Sequence, residues 1–155
     1  MAAVLVAFLL GGLIGQTPTK PSDFSGVWVQ NPAKSTLMSV SPQDVELSVV
    51  DSGASVKVVR RLKASKMPSG VPGETYTGTT DGKPSEERLA DLLYSRRLAR
   101  EGRDLVWRIT MTRRGDSATT TFSERWSLSE DGKMLTIFRT YRDGREVTQV
   151  FERKR

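Results

Sequence analysis

The chain of 155 residues contains neither cysteine nor histidine. Without cysteine there can be no disulfide, no thiolate nucleophile, no sulfur ligand for a metal and no lipidated amino-terminal cysteine. Without histidine the chain lacks the commonest general base, the commonest metal ligand and the usual switch at physiological pH. Ser-His-Asp and Cys-His catalysis are excluded, and ordinary zinc sites lose both of their standard ligands. No glycine-rich phosphate loop is visible, and no spacing of carboxylates argues for paired acid–base work. The expectation is a non-enzymatic protein with no cofactor and no metal. The length suits one domain, which at this size buries ~68% of its unfolded surface and needs no covalent staple.

One long apolar run is present. Residues 2–15 read AAVLVAFLLGGLIG without a charge, and the polar Gln16-Thr17-Pro18-Thr19-Lys20-Pro21 follows. The run is shorter than the ~20 residues a membrane helix needs. It has the length and flank of a secretory signal core, although no Lys or Arg precedes it. Residues 1–15 are accordingly read as a signal peptide, with cleavage at about 15–20, residues 16–22 as a linker and residues 23–155 as the folded domain. The implied address is secreted or periplasmic; a short uncleaved anchor is the alternative.

Beyond Phe24 the apolar residues alternate with period two. Val27 and Val29 flank Trp28; Val45, Leu47 and Val49 alternate with polar residues; so do Leu105, Trp107, Ile109 and Met111. Phe122, Glu124, Trp126 and Leu128 share one face, as do Leu135, Ile137, Arg139 and Tyr141. Turn pairs such as Asp81-Gly82, Gly115-Asp116, Asp131-Gly132 and Asp143-Gly144 separate such runs, which describes a β-meander. Residues 84–102 are ambiguous. Leu89, Leu92, Leu93 and Arg96 fit a helical face, yet Tyr94, Arg96 and Leu98 also alternate. A strand from Leu92, preceded by a loop or one helical turn, is the preferred reading. Eight or nine strands in chain order leave edges that closure would remove. The expected fold is all-β, an up-and-down antiparallel barrel, with a two-sheet sandwich as runner-up.

Phe24-Ser25-Gly26-Val27-Trp28 resembles the Gly-x-Trp entry strand of the calycin group, the lipocalin and fatty-acid-binding barrels. Asn31-Pro32-Ala33-Lys34-Ser35 and the stretch from Glu124 to Thr136 resemble small secreted bacterial lipocalin-like proteins. The resemblance implies that Trp28 points inward with a late-strand cation across it, Arg139 or Arg153. That pair would be structural, a cation–π contact of ~0.5–2 kcal/mol.

Glu124 and Arg139 are the oddity, because they fall on apolar faces. A four-residue loop 129–132 would set Trp126 opposite Leu135 and Glu124 opposite Ile137, with Arg139 diagonal to Glu124. Buried charges must pair, meet water or meet a ligand. One reading is an internal ion pair or a wet barrel end. The other is a clamp in which Arg139 and Tyr141 hold a carboxylate among Phe122, Trp126 and Trp107. Arg139-Thr140-Tyr141 resembles the Arg-x-Tyr pair of some fatty-acid-binding barrels.

The chain carries 24 Lys and Arg against 18 Asp and Glu, a formal charge of +6. Arg60, Arg61, Lys63 and Lys66, then Arg96, Arg97, Arg100 and Arg103, then Arg113 and Arg114 are read as outer strand faces, with attraction to an anionic cell-envelope surface as a second reading. Interleaved acids and the absence of a recognition motif argue against nucleic acid. The expected partner is a small hydrophobic or carboxylate ligand, bound by a monomer. The alternative is a filled barrel acting through its basic surface.

Overall fold

The computed structural model describes residues 22–36, 44–62 and 73–154. The expected signal peptide, all of the linker except Ser22, and Lys63 and Lys66 lie outside those residues. Ten strands follow in chain order: β1 (Gly26–Gln30), β2 (Val45–Asp51), β3 (Ser55–Leu62), β4 (Glu74–Thr79), β5 (Ser85–Leu89), β6 (Leu92–Glu101), β7 (Asp104–Arg113), β8 (Thr119–Leu128), β9 (Met134–Tyr141) and β10 (Glu146–Arg153). A single turn of 3-10 helix, Pro32–Lys34, follows β1. The hydrogen-bonded order is β4-β3-β2-β1-β10-β9-β8-β7-β6-β5, so the meander closes by pairing β1 with β10. β4 and β5 are the two edges of the sheet. The edges are held together at Asp81, which bridges to Ala99, and by Arg96 of β6, which donates to Glu74 of β4. The result is a nearly closed antiparallel barrel.

The strand count exceeds the expected eight or nine, and the added strand lies in the ambiguous segment. Residues 85–89 form a strand rather than a loop or helical turn, joined to β6 across the two-residue turn Ala90-Asp91. Ala90 adopts φ 53°, a left-handed conformation that tight hairpins usually assign to Asn or Gly. The strand from Leu92 is present as expected.

Alternation places one face of every strand in the lumen. Phe24, Trp28, Leu47, Val56, Val58, Leu98, Leu105, Trp107, Trp126, Leu135 and Phe151 are all buried and fill one end of it. Each such side chain contributes ~1.5–3 kcal/mol of burial. Trp28 lies inside, its Nε1 donating to the Phe24 carbonyl at 3.0 Å. The cation across it is Arg153, 4.3 Å above the ring, while Arg139 is engaged elsewhere. Arg153 also donates to the carbonyls of Ser25 and Gly132. Gly26 makes room for this: its φ is +141°, and a Cβ there would lie 2.6 Å from Arg153 Nη1. The Gly-x-Trp spacing thus has a steric cause.

Gly78 of β4 fits against the core in the same way. A Cβ at this position would meet the Trp107 ring at 2.5 Å and the Leu98 Cβ at 2.9 Å. Gly78→Val improves intrinsic strand propensity, yet here it will destabilise the protein by ~1–3 kcal/mol through overpacking. Urea unfolding measures this; a raised midpoint would mean that β4 does not press on Trp107.

Candidate functional site

The end of the barrel away from Trp28 is not filled. Tracing the inward residues of β8 and β9 shows why. The hairpin between them has four loop residues, as expected, but they are 130–133, closed by Ser129 and Met134. Ser129 Oγ accepts from Met134 N and contacts Asp131, which fixes the turn one residue later than expected. The register therefore pairs Trp126 with Ile137 and Glu124 directly with Arg139, correcting the expected Trp126–Leu135 and Glu124–Ile137 pairs.

Direct opposition makes the ion pair intimate. Arg139 Nε donates to Glu124 Oε1 at 2.9 Å, and Arg139 Nη2 donates to the same oxygen. The other carboxylate oxygen accepts from Trp126 Nε1 at 3.0 Å. Arg139 Nη1 donates to the Tyr141 hydroxyl at 3.2 Å, and the guanidinium lies 4.7 Å over the Phe122 ring. Burial pushes the Glu124 carboxyl up, but Arg139, Arg60 and the Trp126 hydrogen bond outweigh it and hold it below its ordinary value of 4.5. Burial likewise opposes the Arg139 charge, and Glu124 and Tyr141 overcome it, so Arg139 stays a cation.

A second charged group faces this one. Arg96 of β6, 3% exposed, donates to Glu87 of β5 at 2.8 Å and to Glu74 of β4. Its guanidinium lies between the rings of Tyr76 and Tyr94, at 4.4 and 4.3 Å. Burial raises the Tyr76 hydroxyl far above its ordinary value, with Glu124 and Glu74 adding to the effect, so Tyr76 is a neutral phenol. The third arginine is Arg60, on the inward face of β3 after Val56 and Val58.

Between these groups lies a cavity of about 200 Å³. Of the residues expected around a ligand, Phe122, Glu124, Arg139 and Tyr141 line it; Trp107 and Trp126 are buried elsewhere in the core and do not. The lining residues that sequence reasoning missed include Arg60, Arg96, Glu74, Tyr76, Tyr94 and Met111. Arg60 and Arg96, expected on outer faces, point into the cavity instead. Their period-two relation to Val58 and Leu98 was the available signal. Arg61 and Arg97, by contrast, are exposed. Among the described residues no group of three or more Asp and Glu side chains could hold a metal ion.

No protein-family model matches the sequence, and no curated protein matches it. Solved structures do. Secretory abundant heat soluble protein 4 from Ramazzottius varieornatus superposes with a TM-score of 0.67 at 11% identity, over 90% of this chain and 99% of that one. The REP1-NXSQ fatty acid transporter gives 0.63 at 9% identity, over 85% and 96%. Fatty-acid-binding protein 1 of Echinococcus granulosus gives 0.59 at 13% identity, over 85% and 98%. The fold these structures share with this chain is the nearly closed antiparallel β-barrel. At these identities the likeness carries the architecture alone. Within this barrel, the Trp28–Arg153 stack lies toward one end and the charged cavity toward the other.

Proposed function

We propose that this protein is an exported binding protein for a small amphipathic or acidic ligand, held in the charged cavity. The observation that carries the reading is a cavity of about 200 Å³ lined by Phe122, Tyr141 and Met111 together with Arg60, Arg96 and Arg139. An apolar hollow with a few convergent polar groups is the usual form of a small-molecule site. Of the three solved structures compared above, two are named for fatty acids. The Glu124–Arg139 pair serves such a site by keeping Tyr141 and the aromatic wall in place. Export rests on the apolar amino-terminal run.

A second reading has its own support. Typical ligand pockets run to ~300–1,000 Å³, and this cavity is smaller because Trp107, Trp126 and Leu98 fill the lumen beside it. A filled barrel would act through its basic exterior at an anionic envelope surface.

Native mass spectrometry of protein purified from its own host separates the two. A binding protein will carry a small co-purifying molecule that is lost when Met111→Trp fills the cavity. A bare protein mass from every preparation would contradict the binding reading.

A further inference from the structure

The three arginines of the cavity are not equivalent. Arg139 is charge-paired with Glu124 and bonded to Tyr141. Arg96 is charge-paired with both Glu74 and Glu87. Arg60 differs. Its neighbour in the β3–β4 register is Glu74, directly opposite. Cross-strand opposition would ordinarily make these two a pair. Glu74 instead turns to Arg96. On its other side Arg60 faces Leu47 of β2. Among the described residues, no carboxylate lies within ion-pair distance of Arg60. It is half-buried and lines the cavity. Of the carboxylates that meet the three guanidinium groups, Glu74 and Glu87 go to Arg96 and Glu124 goes to Arg139, which leaves Arg60 without one of its own.

Size and wall chemistry restrict what can fill the space. A dry cavity of ~150 Å³ is enough for benzene, and about 200 Å³ admits one substituted ring. A long acyl chain would need the space already taken by Trp107, Trp126 and Leu98, which are at most 1% exposed. Tyr76, Tyr94, Phe122 and Tyr141 supply ring faces and edges, and Met111 a polarizable contact.

We propose that the ligand is a compact monoanion of single-ring size, an aryl carboxylate, whose carboxylate is anchored by Arg60 rather than by the Arg139–Tyr141 pair. This rests on the binding reading above and narrows it. The ligand anion supplies the counter-charge that Glu74 withholds, and the guanidinium fork matches a carboxylate bidentately. Long-chain fatty acids are excluded by the filled lumen.

Isothermal titration calorimetry of the full chain with benzoate, benzamide and palmitate tests this. Benzoate should bind one to one; benzamide, of the same shape without the charge, should bind about tenfold more weakly or not at all. Arg60→Gln should lose about tenfold in benzoate affinity, and Arg60→Lys should retain part of it, with unchanged circular dichroism in both. No benzoate binding, equal affinity for Arg60→Gln, or palmitate bound in preference would each overturn the assignment. A co-purifying molecule of another class in the native mass experiment would overturn it while leaving the binding reading intact; bare protein there would remove both.

Discussion

Glu124→Leu will cost about 3–5 kcal/mol of stability, and the double replacement Glu124→Leu with Arg139→Leu will recover most of it. The single change strands a guanidinium whose side chain is 18% exposed and deprives Trp126 Nε1 of its acceptor. Breaking a buried pair from one side leaves a charge without compensation and costs ~3–5 kcal/mol. Removing both charges together is often neutral or stabilising by ~1–4 kcal/mol, because two desolvation penalties vanish along with one attraction. The pair also leaves a trace in pH. The folded-state pKa of Glu124 lies below its ordinary 4.5. As pH falls below 4.5, the unfolded chain takes up the proton first. The contribution of Glu124 is therefore complete above 4.5 and is lost as pH drops through the lower folded value. Urea titrations from pH 7 to pH 3 should show this loss in the wild type and a shallower one in the double variant. Equal single and double variants would mean that the two residues do not form a pair.

Trp107→Ala will cost ~3–5 kcal/mol, the range for removing a fully buried large aromatic. Trp107 is completely buried, with Tyr76 edge-on at 5.2 Å and Trp126 tilted at 6.2 Å. Its Nε1 is a buried donor with no partner among the described residues. Trp107→Phe discards that orphan while keeping an aromatic ring, so it should cost less than ~1.5 kcal/mol. Denaturant midpoints of the two variants check this. A Phe variant as unstable as the Ala variant would show that the indole N–H is hydrogen-bonded after all.

Much of the barrel was legible because period-two alternation and glycine turns are local signals. β7, β8 and β9 follow from Leu105 to Met111, Phe122 to Leu128 and Leu135 to Tyr141 with little room for another reading. β5 was not legible, since its hairpin turns on Ala90-Asp91, and an alanine in left-handed geometry gives no mark in sequence. The β8–β9 register slipped for a related reason. A four-residue loop fits at two adjacent positions, and the choice between them is made by the Ser129 hydroxyl. The cavity was half legible. Glu124, Arg139, Tyr141 and Phe122 announce themselves as charges and rings on one face of one hairpin. Arg60 and Arg96 do not, because an arginine in a run such as Arg60-Arg61 alternates between lumen and solvent. Which of the two points inward depends on strands distant in sequence. The partnership of Arg96 with Glu74 and Glu87 joins three strands and has no local signature at all.

Methyl NMR of Ile109 and Met111, both on the cavity wall, tests the binding role most directly. During titration with benzoate and hexanoate, a cavity site predicts saturable shifts at these two side chains, with Val50 on the outer surface unmoved. If neither acid moves Ile109 or Met111, or if the shifts gather on the outer face instead, the cavity is not a ligand site.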